Sequence, residues 1–144
     1  MIKFFLFLLF STSALAQFNG SFSGSGEAFF ASGRRYQCTE IFLRLETTLE
    51  VFRLREGGYK CGGFLNAEFD PFRLSIRGGG LFHLEQQLGH ISENQLDYQI
   101  FDPQDGSTYY LTLNREGDAI SYFERWHDGE KIALTIRGIL KRKP

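Results

Sequence analysis

A chain of 144 residues with a formal net charge of −1 and two cysteines has room for one domain with a sizeable core and too little length for two ordinary ones. Charged residues make up 23% of it and aromatics 16%, which excludes a disordered polyelectrolyte. The near-neutral balance leaves no basic footprint, so no nucleic-acid partner is expected.

Met1-Ile2-Lys3 supplies a short positive start, Phe4 to Phe10 is an unbroken apolar run, and Ala14-Leu15-Ala16 sets small residues where a signal peptidase reads them. Residues 1–16 are therefore expected to be a secretory signal peptide, cleaved before Gln17. The apolar run yields to Ser11-Thr12-Ser13, well short of the ~20 residues that cross a bilayer, so no stable membrane anchor is expected. No cysteine lies near the cleavage point, which argues against a lipid anchor as well. Residues 17–144 are expected to form a single β-barrel domain, periplasmic or secreted.

Export bears on Cys38 and Cys61, because both remain in a compartment where thiols oxidise. A disulfide between them is expected. Closing a loop of about 24 residues in this way stabilises a fold by roughly 3 kcal/mol on the chain-entropy estimate. A metal pair or a catalytic thiol would call for a close Cys-x-x-Cys spacing or an adjacent histidine, and neither is present.

From Gln17 onward the chain reads as strands. Phe72, Leu74 and Ile76 alternate with Arg73, Ser75 and Arg77, and Leu96, Tyr98 and Ile100 alternate with Gln95, Asp97 and Gln99. The same period of two recurs at Tyr109, Leu111 and Leu113, and again at Ile132, Leu134 and Ile136, where Lys131, Thr135 and Arg137 take the solvent side. Glycine-bearing turn signals punctuate these runs at Glu56-Gly57-Gly58, Arg77-Gly78-Gly79-Gly80, Asp105-Gly106, Glu116-Gly117-Asp118 and Asp128-Gly129.

Taken in order, the turns place strands near 18–31, 35–46, 49–55, 59–69, 72–77, 81–87, 95–101, 107–114, 119–126 and 131–140. Between Thr39 and Arg55 a helical reading competes, since Phe42, Leu45, Leu49 and Phe52 share a helical face. The β-branched Ile41, Thr47, Thr48 and Val51 favour strands there. Strand-after-strand pairing makes an antiparallel up-and-down meander, which must leave two exposed edges or close on itself. The fold expected is all-β, an antiparallel up-and-down meander closing into an 8–10-stranded barrel. Pro71 and Pro103 fall at strand boundaries, where a missing N–H does no harm.

Catalytic motifs are not evident. Gly20-Ser21-Phe22-Ser23-Gly24 has phenylalanine where a hydrolase elbow needs its nucleophile. Gly24 and Gly26 lack the Gly-Lys-Ser/Thr of a phosphate loop and are assigned to a bent first strand. His83, His90 and His127 fall in separate segments, without the close pairing that marks a zinc site. No enzyme activity, cofactor or metal is expected.

Asn19-Gly20-Ser21-Phe22 on the first strand resembles the Gly-x-Trp signature that opens lipocalins and their calycin relatives, with Phe22 at the tryptophan position. That resemblance implies a ligand-carrying barrel whose closed end packs an arginine of the last strand near Phe22, for which Arg137 is the candidate. Tyr36-Gln37-Cys38-Thr39-Glu40-Ile41 followed by Tyr59-Lys60-Cys61 is similar to small periplasmic inhibitors of bacterial metalloproteases. These are also barrels with one disulfide, and they plug the protease with an N-terminal segment, here Gln17-Phe18-Asn19.

Of the two implied functions, binding of a small apolar ligand is the one favoured, with a protein-binding module such as a protease inhibitor as the alternative. The inward rows Leu96, Tyr98, Ile100, Tyr109, Leu111, Leu113, Tyr122 and Trp126 combine apolar area with hydroxyls that can orient a bound molecule. Trp126 is expected to point inward near the barrel mouth. Glu124 is the one dissonant residue on that face.

Overall fold

The computed structural model describes residues 18–144, so the expected leader and its cleavage point before Gln17 lie outside the described residues. Eleven strands follow in order: β1 (Gly20–Phe30), β2 (Arg35–Thr47), β3 (Val51–Cys61), β4 (Leu65–Glu68), β5 (Phe72–Arg77), β6 (Gly80–His83), β7 (Gln86–Ile91), β8 (Gln95–Asp102), β9 (Ser107–Glu116), β10 (Ala119–Asp128) and β11 (Lys131–Arg142). Each pairs antiparallel with its successor, except that β4 and β5 occupy successive stretches of one edge of β3. The last strand returns to the first from Phe22↔Arg142 to Phe30↔Leu134, and β2 bonds both β1 and β3. A ring of ten strands thus closes as a barrel-like antiparallel meander, and β4 extends the edge of β3 beyond β5. Closure removes the two edges that an open meander would leave exposed.

Alternation drives this architecture as the sequence implied. Leu96 and Tyr98 of β8, Leu111 and Leu113 of β9, Ile120 and Tyr122 of β10, and Ile136 and Leu140 of β11 are all buried and point into one core. Gly78 (φ 56°) and Gly79 (φ 78°) fill the two left-handed positions of the loop between β5 and β6, the backbone pair a two-residue hairpin requires. The expected turns at Gly106, Gly117 and Gly129 join β8 to β9, β9 to β10 and β10 to β11. Thr39 to Arg55 is strand on both sides of a tight turn, in which the Thr48 hydroxyl accepts hydrogen bonds from the Glu50 and Val51 amides.

Three expectations need correction. Glu56-Gly57-Gly58 is not a turn: β3 runs through it to Cys61, and the reversal comes at Gly62-Gly63. A Cβ on Gly58 would stand 2.2 Å from the Ala67 carbonyl oxygen, and one on Gly57 2.8 Å from the Phe69 ring. Those glycines admit a close neighbour and do not bend the chain. The segment 81–87 is two strands, with a turn at Leu84-Glu85 that carries neither Gly nor Pro to announce it. Leu84 adopts φ 54° there, and the Arg77 guanidinium braces it, donating to the Leu84 carbonyl at 2.9 Å while lying 4.0 Å from the centre of the Phe82 ring. Finally, Ile132 is 44% exposed, because the β10–β11 register shifts between Trp126 and His127.

Gly24 and Gly26 lie in a bent first strand, as expected, at a shift in the β1–β2 register. Cys38 and Cys61 are register partners on β2 and β3 and are joined by a disulfide. The bridge is consistent with an oxidising compartment.

Candidate functional site

The two ends of the barrel differ. At the end where β1 starts and β11 finishes, Phe18 is fully buried and its carbonyl accepts a hydrogen bond from the Thr47 hydroxyl at 2.9 Å. Asn19 exchanges two further bonds with the Thr47 backbone, donating to its carbonyl and accepting from its amide. Phe22 is buried beneath, with the Arg142 guanidinium 4.9 Å from its ring centre and donating to the Asn19 carbonyl. The cation beside Phe22 is therefore Arg142. Arg137 alternates outward, between Phe29 and Phe123 at 5.3 and 5.7 Å, because residues of one strand reach the same face only at even spacing.

The opposite end is open on one side. The β7–β8 ladder covers only Gly89↔Tyr98 to Ile91↔Leu96, which leaves the upper half of β8 without a ladder partner there among the described residues. The gap opens into a cavity of about 370 Å³. Leu54, Phe69, Pro71 and Phe72 wall it from the β3–β5 side, and Tyr98, Ile100, Tyr109 and Trp126 from β8, β9 and β10. Glu68, Asp70, Asp102 and Ser107 form a polar rim. Aromatic rings continue inward: Phe72 to Tyr98 at 5.2 Å and Tyr109 to Trp126 at 5.0 Å, both edge to face, with Tyr98 to Tyr109 at 6.0 Å.

Below Tyr109 and Trp126 lies Glu124, wholly buried, with Leu111 of β9 and Ile136 of β11 as register partners. Burial raises its carboxyl to about 8, an effect that the facing Tyr122 hydroxyl, Trp126 indole and Tyr109 hydroxyl offset only in part. Neither carboxyl oxygen completes a well-formed hydrogen bond among the described residues, and the Tyr109 and Tyr122 hydroxyls and Trp126 Nε1 are likewise buried and unpartnered. The same burial, with Glu124 adding to it, pushes the hydroxyls of Tyr59, Tyr98, Tyr109 and Tyr122 above the ordinary tyrosine range. All four hydroxyls stay neutral at physiological pH.

Of the residues expected to face a ligand, Tyr98, Ile100, Tyr109 and Trp126 meet at the cavity. Leu96, Leu111, Leu113 and Tyr122 lie deeper, in the closed core. The β3–β5 wall was not anticipated. Phe72 carried a signal in its alternation with Leu74 and Ile76, but Phe69 and Pro71 sit at a strand break, where period-two reasoning gives no facing. No protein-family model matches the chain and no curated protein is significantly similar to it.

Proposed function

We propose that this protein is an exported, non-enzymatic binding protein that holds a small, mainly apolar ligand at the open end of its barrel. The observation that carries the reading is the cavity of about 370 Å³ walled by Leu54, Phe69, Phe72, Ile100 and Trp126. Its size falls in the range of small-molecule pockets, and its composition, apolar walls with a few polar groups, is the usual one. Arg142 over Phe22, behind Gly20, supports likeness to lipocalins and their calycin relatives. The leader-like residues 1–16 and the disulfide support a periplasmic or secreted setting. A protein-binding role through the start of the mature chain draws no support from Phe18 and Asn19, which are spent on closing the other end.

Titration with a neutral polarity-sensitive dye and with medium-chain alcohols tests the reading, using Trp126 emission as the signal. The expected result is one saturable site per chain with micromolar dissociation constants, equivalent to about 8 kcal/mol. Ile100→Trp should fill the cavity and abolish the response while the protein stays folded. No saturable change with any probe, together with a loss of about 3–5 kcal/mol in stability for Tyr98→Ala, would identify a filled core and overturn the proposal.

A further inference from the structure

We propose that the ligand carries a protonated amine, and that this ammonium group pairs with the Glu124 carboxylate, which lies behind the Tyr109 and Trp126 wall of the cavity. The inference rests on the reading of the cavity as a ligand site and adds the chemical class of what fills it.

Glu124 is the observation that demands a partner. A buried carboxylate without a counter-charge or a full set of donors is costly, and native structures rarely leave one so. Among the described residues, no cationic side chain faces it. Arg125, the next residue along, has the opposite parity, and its guanidinium lies over the outer faces of Tyr110 and Phe123. The groups packed around the carboxyl are Tyr122 and Trp126 of β10, Tyr109 and Leu111 of β9, Ile136 of β11, Tyr98 of β8 and Tyr59 of β3. All of them are uncharged at neutral pH, so the interior holds one potential negative charge and nothing to balance it.

Tyr109 and Trp126 connect this charge to the cavity. Each contributes a wall to the cavity, and each turns a buried, unpartnered polar atom toward the carboxyl. The two rings pack edge to face at 5.0 Å, so a head group reaches the carboxyl as they part, and the ring face it then meets favours a cation. Its three N–H donors would then reach two carboxylate oxygens and the tyrosine hydroxyl oxygens. A ligand carboxylate would instead set like charge beside an ionised Glu124, and a neutral hydroxyl would leave Glu124 protonated, with no ion pair to gain.

Proton balance gives the proposal a signature. With its carboxyl raised to about 8, Glu124 is mostly protonated at pH 7 in the free protein. An ammonium binds the ionised form, so each ligand bound at pH 7 should release close to one proton to solvent. Affinity should climb as pH rises toward about 8 and level off beyond it, until the amine itself loses its proton near pH ~10.

The test compares 2-phenylethylamine, 2-phenylethanol and phenylacetate on the full mature chain, by Trp126 emission and by calorimetry in buffers of different ionisation enthalpy. The amine should bind at least tenfold more tightly than the alcohol at pH 8, the acid most weakly, with proton release at pH 7. In Glu124→Gln the preference for the amine should shrink to less than threefold. If that variant does not fold, the pH profile and proton release of the native protein decide. An alcohol that matches the amine, an amine affinity independent of pH between 6 and 8, or an unchanged preference in Glu124→Gln would overturn the inference while leaving the cavity a binding site. No saturable response to any of the three, nor to the neutral dye, would overturn both.

Discussion

Glu124 and Trp126 are successive inward residues of β10, so the tryptophan covers the one carboxylate that is fully buried among the described residues. Inward neighbours on a strand lie about 7 Å apart, so a charge placed below an aromatic ring at the rim is one step from the cavity and sealed from water. The arrangement has a cost in stability that depends on pH.

Glu124 has a folded-state pKa of about 8 against 4.5 for the unconstrained group. Between those values the folded chain holds one proton more than the unfolded chain, so this group makes stability fall as pH rises through the window. Glu124→Gln should therefore melt close to the native protein at pH 4 and well above it at pH 9, a difference on the order of a few kcal/mol. Thermal unfolding at the two pH values measures it. Equal differences at both would mean that the carboxyl does not titrate there.

Cys38 and Cys61 tie β2 to β3 at the open end. Replacing both with serine should cost about 3 kcal/mol in denaturant unfolding, with little change in the far-ultraviolet spectrum of the folded protein. Thiol labelling of the unfolded, unreduced protein should find no reactive cysteine.

Arg142 and Arg137 lie on one strand but on opposite faces. Arg142→Ala removes the cation over Phe22 and the bond to the Asn19 carbonyl, so it should destabilise by about 1–2 kcal/mol. It should also speed hydrogen exchange at the Thr47 amide. Arg137→Ala, on the outer surface, should leave that amide as protected as before.

A Cβ on Gly24 would fall 1.9 Å from the Ile139 carbonyl oxygen, a backbone atom that cannot move aside. Gly24→Ala should cost about 3 kcal/mol or more, at the upper end of what overpacking does. Gly63→Ala, with nothing within 4 Å and an ordinary backbone angle, should change stability by less than about 0.5 kcal/mol. Parallel urea titrations of the two variants provide the comparison.

The strands and most hairpins were legible without the structure, because alternation and left-handed glycines are local signals, each read within a few residues. Leu96-Tyr98-Ile100 and Tyr109-Leu111-Leu113 state their own facing, and Gly78-Gly79 states its own turn. Even the disulfide followed from two cysteines and the expectation of export. Glu124 could be placed on the inner face by parity alone, but its burial depended on which strands came to lie beside β10.

Only the tertiary structure decided what depends on closure. Gly57-Gly58 has the composition of a turn and became a close contact because β4 and Phe69 come back against it. That Arg142 comes to lie over Phe22 depended on where β11 ends against β1. Whether the inward aromatics enclose a space or fill it depended on the short β7–β8 ladder, which leaves the upper half of β8 open. Period-two sequence specifies the face on which a side chain lies. The distance across the barrel is set by the number of strands and by how far each ladder extends, and it is that distance that separates a packed core from a cavity.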